Sequence, residues 1–134
     1  MYINRSITAL RATKTLTAAA TLTSADSGKL IYLGAAGGGA VTLPNTDGFW
    51  CDFIVTVAPT TAWVITAGTA DTMAGSVLSS SGGAEDTEAA ATGDVLNAVA
   101  NTAVVGDRAT VNCDGTNVYV VAVCSATGGW TITG

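Results

Sequence analysis

The stretch Phe49–Val57, FWCDFIVTV, alternates along its whole length. Phe49, Cys51, Phe53, Val55 and Val57 share one parity, and Trp50, Asp52, Ile54 and Thr56 share the other. Successive side chains of an extended chain point to opposite faces, so the pattern predicts a strand with a wholly apolar inner face. AWVIT at 62–66 is a second β-rich run, and the intervening Ala58-Pro59-Thr60-Thr61 reads as a hairpin connection. The clearest hairpin comes later, where DRATVNC and NVYVVAVC flank Asp114-Gly115-Thr116. Asp-Gly favours a tight reversal because both residues tolerate positive φ. Ala109, Val111 and Cys113 then face inward, with Arg108, Thr110 and Asn112 outward. Val118–Cys124 is apolar on both faces, as in a central or interface-lying strand. GWTIT closes the chain as a short strand.

Helix signals are thin. EDTEAAATGDVLNAVA holds good helix formers, but Gly93 and Asp94 split it, and its first half has no apolar stripe beyond alanine. Residues 82–93 are read as an exposed acidic loop with room for one helical turn, and 94–99 as a strand. About eight to ten short strands punctuated by turns predict an all-β fold, a β-sandwich or small barrel, jelly-roll-like or tulip-like. Residues 1–20 are read as an extended N-terminal arm and 21–134 as one β-rich domain.

The glycine-rich stretch SGKLIYLGAAGGGAVTLP, residues 27–44, invites comparison with phosphate-binding loops. A P-loop needs Gly-Lys followed by Ser or Thr, with another Gly five residues before. Here Leu30 follows Lys29, and no such glycine precedes Gly28. A dinucleotide fingerprint needs a helix after its glycines, whereas Gly37-Gly38-Gly39 is followed by Ala-Val-Thr-Leu-Pro, a strand pattern. The expectation is mechanical: AAGGG reverses the chain between strands KLIYLG and AVTLP, and Pro44 ends the second.

Catalytic and metal sites are not expected. The chain has no histidine, so the commonest general base and the Ser-His and Cys-His pairs are missing. Glu85, Asp86 and Glu88 cluster in a Gly/Ser/Ala setting where solvation is expected. Asp114 and Asn117 lack EF-hand spacing, and Asp114 reads as a turn residue. Cys51, Cys113 and Cys124 are odd in number without CxxC spacing, and each lies in an apolar run, as buried reduced thiols would. Asn4-Arg5-Ser6 matches a glycosylation sequon without a secretory signal before it. Trp50, Trp63 and Trp130 are read first as core residues and second as a sugar-binding platform. No cofactor is expected.

Composition narrows the partners. Of 134 residues 49% are hydrophobic and only 11% charged, and no apolar run approaches membrane-span length. So few charges fit a subunit whose surface is largely covered by neighbours; an adhesive or extracellular β-domain fits too, and an acidic monomer of net charge −5 stays open. Arg5, Arg11 and Lys14 precede the first acidic residue, Asp26. The remainder carries two basic against ten acidic residues, which disfavours nucleic acid. A basic arm on an acidic body has the charge to latch onto an acidic protein surface; the alternative is a frayed terminus.

The order of the pieces adds a family. LTSADSGKLIYLGAAGGGAVTLP, GFWCDFIVTVAPTTAWVIT, DTMAG and VVGDRATVNCDGTNVYVVAVCSATGG, in this order, resemble tailed-bacteriophage capsid decoration (head cement) proteins over about residues 21–129. Val118 stands where that family usually has an aromatic residue, the Trp50-Cys51 combination is not typical of it, and Met1–Lys14 lies outside the similar region. The resemblance implies a non-enzymatic, β-rich virion protein, made in the host cytoplasm. It would bind the outer head surface, commonly as a homotrimer, and clamp neighbouring major capsid proteins. Arg5, Arg11 and Lys14 are then the candidate capsid contacts, on an arm reaching a neighbouring subunit. The alternative is a tail-fibre or receptor/carbohydrate-binding β-module. Fibre proteins usually carry a long shaft, and a chain of 134 residues beginning at Met1 without a shaft repeat favours the first reading.

Overall fold

A computed structural model describes residues 10–44, 46–67, 72–80, 86–87 and 91–134. The fold is all-β, a sandwich of two mixed sheets. Its strands in chain order are β1 (Thr13–Leu16), β2 (Ala20–Thr21), β3 (Leu30–Leu33), β4 (Gly39–Thr42), β5 (Trp50–Val55), β6 (Trp63–Thr66), β7 (Thr72–Ser79), β8 (Asp86–Thr87), β9 (Ala91–Gly93), β10 (Val95–Ala98), β11 (Arg108–Cys113), β12 (Asn117–Cys124) and β13 (Trp130–Thr133). The larger sheet runs β1-β3-β5-β11-β12-β7-β8, with β9 also on β7, and the smaller runs β13-β10-β6-β4-β2.

The first half is a short coil. The chain alternates between sheets at each strand from β1 to β6, and β1, β3 and β5 pair in parallel in one sheet while β2, β4 and β6 do so in the other. The corners of successive turns stack: Thr60 N and Thr61 N donate to Ala36 O at 2.7 and 3.1 Å, and Gly34 N donates to Leu16 O at 2.8 Å. Two expected hairpins are thereby corrected. Residues 58–61 connect β5 to β6 in opposite sheets, and AAGGG likewise carries the chain from β3 to β4 across the sandwich. Gly38 makes that corner possible, because its φ is +61° and a Cβ there would sit 2.2 Å from Thr61 O. A strand follows the glycines, so the helix a phosphate loop requires is replaced by β4.

The second half is largely antiparallel. β11 and β12 form the expected hairpin, with Asp114 Oδ1 accepting from Thr116 N and Asn117 N at 2.9 and 2.6 Å. β10 matches the strand expected at 94–99. Within the segment read as an acidic loop, β8 and β9 instead pair with β7, while residues 82–85 and 88–90 lie outside the described residues. Of the segment read as an arm, residues 1–9, Arg5 and the sequon among them, lie outside the described residues. The sheet begins at Thr13, and Leu16 is buried beneath it.

The core lies between the sheets and rests on large residues set beside small ones. Phe53 has Ala109 beside it across the ladder, followed by Ala122. On the smaller sheet Ala98 lies between Trp63 and Trp130, and both indoles are wholly buried. Phe49, Cys51, Phe53 and Val55 are buried as the alternation predicts, but Val57 lies past the strand and is exposed. All three cysteines are buried, and burial pushes the Cys51 thiol far above its ordinary pKa.

Candidate interaction face

The two faces of the larger sheet differ. Its inner side is core, and among the described residues its outer side is left uncovered by any further layer. The alternation that buries Val118, Val120, Ala122 and Cys124 turns Tyr119, Val121 and Val123 outward, at 49%, 55% and 45% exposure. Register arranges the outer residues in rows. One row runs Trp50, Asn112, Tyr119, Ala74. The next runs Leu30, Asp52, Thr110, Val121, Ser76, and the third Tyr32, Ile54, Arg108, Val123, Leu78. Two apolar flanks therefore border a polar ridge on β11.

The flanks are held in place by polar groups. Tyr119 Oη donates to Asp114 Oδ2 at 2.9 Å, which fixes the ring at the hairpin tip. The N–H groups of Asn117 and Thr116, with that hydroxyl, hold the Asp114 carboxyl below its ordinary pKa, and the same carboxylate raises that of Tyr119. On the other flank Arg11 lies over the Trp50 ring, 4.9 Å from its centroid. Its Nη1 meets Asp52 Oδ2 at 2.5 Å, while Nε and Nη2 donate to Gly28 O and Lys29 O at 2.8 and 3.1 Å. Asp52 Oδ1 accepts from Thr110 Oγ1 on the ridge.

Lys14, also a candidate contact, lies at the sheet edge. Its Nζ donates to Asp26 at 3.2 and 3.3 Å, and Lys29 Nζ meets the same carboxylate at 2.9 Å. A charged, satisfied side chain on the inner-facing parity of an edge strand discourages stray strand pairing. The attraction between basic arm and acidic body is thus met inside the chain at Arg11 and Lys14, through Asp52 and Asp26. Arg5 lies outside the described residues. The face itself was signalled by the two-sided apolar run at Val118–Cys124; of the described residues singled out as contacts, Arg11 alone lies on it, over Trp50.

Asp26 gives a pH prediction. Burial alone would raise its pKa, but the Thr23 N–H at 3.0 Å and the ammonium groups of Lys29 and Lys14 outweigh it, lowering the value from 3.8 to about 2. A folded-state pKa below the unfolded one stabilises the fold above the unfolded value and is lost as pH falls through the folded one. At about 1.4 kcal/mol per pKa unit, the ionised carboxylate contributes about 2 kcal/mol at neutral pH. Asp26→Asn should therefore lower stability by about 2 kcal/mol at neutral pH, with the gap closing between about pH 4 and about pH 2. Urea unfolding of both proteins across that window checks it; a pH-independent gap would assign the loss to packing.

Among the described residues no group of three His, Cys, Asp or Glu side chains is placed to hold a metal ion. The Glu85, Asp86 and Glu88 side chains lie outside the described set. The Trp platform is not assembled, because Trp63 and Trp130 are core residues and only Trp50 reaches the surface, under Arg11. Among the described residues no helix is long and apolar enough to cross a membrane. No protein-family model, no curated protein and no solved structure matches the chain.

Proposed function

We propose that this is a non-enzymatic structural virion protein that binds the outer surface of a phage head and clamps neighbouring major capsid proteins. The observation that carries the reading is the open outer face of the larger sheet. Trp50, Ile54, Tyr119, Val121, Val123 and Leu78 stand on a rigid ladder whose other side is core. Six strands at about 4.8 Å and about six residues of strand length span on the order of 600 Å². That approaches the ~800 Å² each partner buries in a standard interface. Aromatic and β-branched residues fixed on a sheet lose little side-chain entropy on docking. The resemblance in LTSADSGK, AVTLP and DGTNVYV supports the same reading and adds a homotrimeric state.

Purified protein mixed with undecorated heads of its phage should appear as ordered density on the outer shell at local threefold positions. Light scattering should give three copies per particle in solution. Bare shells with density on tails alone, or binding to a glycan array without head binding, would replace this reading with the receptor-binding one.

A further inference from the structure

We propose that the outer face of the larger sheet recognises a carboxylate of its protein partner through Arg108, with the apolar flanks closing around the pair. The inference rests on the head-binding reading and specifies its chemistry. Arg108 is exposed in the third row, with Ile54 on one side and Val123 on the other, and Tyr32 and Leu78 beyond them. It is the single cation in its row, and its immediate neighbours on both sides are apolar.

The other described cations are already matched. Arg11 pairs with Asp52, and Lys14 and Lys29 share Asp26. Arg108 has no carboxylate within ion-pair distance among the described residues. Its neighbour Asp107 is buried, with Oδ2 accepting from Val104 N at 3.0 Å and Oδ1 from Ser125 N at 2.9 Å. Asp52, in the adjacent row, is held by Arg11 and Thr110. In a chain of net charge −5, an arginine among apolar neighbours with no carboxylate partner among the described residues stands out on this face.

Charge complementarity selects the occupant. A second copy docked face to face brings another Arg108 and a face whose described carboxylates, Asp52 and the Tyr119-bound Asp114, are engaged. A different protein surface carrying an exposed Asp or Glu amid apolar residues supplies what is missing. Exclusion of water by Ile54, Val123, Tyr32 and Leu78 strengthens that pair, because an ion pair weakens with solvent screening. The guanidinium geometry favours a bidentate carboxylate over a point contact. Arginine with tyrosine and tryptophan is also the composition of interface hot spots.

The test compares the unaltered protein, Arg108→Glu, Arg108→Lys and Thr21→Glu on undecorated heads in a sedimentation assay. Arg108→Glu should weaken binding at least about 100-fold and Arg108→Lys about tenfold. Thr21→Glu, on the smaller sheet, should bind as the unaltered protein does. Arg108 makes no side-chain hydrogen bond among the described residues, so all variants should unfold at the same urea concentration, and that measurement accompanies the binding. A capsid Asp→Lys or Glu→Lys change that restores Arg108→Glu binding would identify the partner group. Equal binding by Arg108→Glu and the unaltered protein overturns the inference and leaves head binding standing. Loss of self-association by Arg108→Glu with head binding intact overturns it in favour of a second copy. No head binding by the unaltered protein overturns both.

Discussion

Gly75→Ala should destabilise the fold by about 3 kcal/mol or more, the upper range for overpacking a filled site. A Cβ at Gly75 would lie 1.8 Å from Val120 O and 2.7 Å from its carbonyl carbon, both backbone atoms of the neighbouring strand. Neither strand is free to withdraw. β12 is held on its far side by β11, with Val120 opposite Val111, and β7 is held on its far side by β9, with Gly75 opposite Ala91. Relief therefore requires breaking part of a ladder on one side or the other, and glycine in a strand marks this kind of close backbone approach. Gly37→Ala is the control: it has nothing within 4 Å of an added Cβ and should change stability by no more than about 0.5 kcal/mol. Urea unfolding of the two variants separates the cases, and a Gly75→Ala protein as stable as the control would show that the strands do not approach so closely.

Strand identity was legible because alternation is local. Phe49–Val55 and Ala109–Cys113 bury the parity their sequences assign, while Val118–Cys124, read as apolar on both faces, buries one parity and exposes the other. The Asp-Gly hairpin was legible for the same reason, since turn chemistry and both arms lie within one short stretch. The parallel coil was not. A connection of small and turn-forming residues such as Ala58–Thr61 serves equally to reverse a chain within one sheet or to turn a corner between two. What decides is a distant acceptor, Ala36 O, lying under Thr60 and Thr61. The same limit applied to charge. The basic character of residues 5–14 was plain, but the identities of Asp52 and Asp26 as the carboxylates that engage Arg11 and Lys14 depend on β5 and the Ser24–Asp26 3-10 turn being brought alongside. Arg108 was correctly placed outward by parity, yet its lack of a carboxylate partner among the described residues becomes visible only when the other cations are matched.

Trp63→Ala should cost about 3–5 kcal/mol, the range for deleting a large aromatic side chain from a core. Trp63 is fully buried, and its Nε1 donates to Ala35 O at 3.3 Å, so the substitution removes both the ring and a link to the β3–β4 corner. The site cannot close over the gap. The adjacent side chain across the ladder is Ala98, too small to fill it, and Trp130 lies on the far side of that alanine with its Nε1 lacking an acceptor among the described residues. Trp50→Ala provides the opposite case. Trp50 is 42% exposed, and what it loses within the chain is chiefly the Arg11 stacking, about 0.5–1 kcal/mol at an exposed site. Stability and head binding should therefore separate the two: Trp63→Ala loses stability first, whereas Trp50→Ala stays folded and loses affinity for heads. A Trp50→Ala protein that binds heads as tightly as the unaltered one would remove the aromatic flank from the docking face, and a Trp63→Ala loss below about 1 kcal/mol would mean that the smaller sheet's core repacks around Ala98 more freely than large-to-small substitutions usually allow.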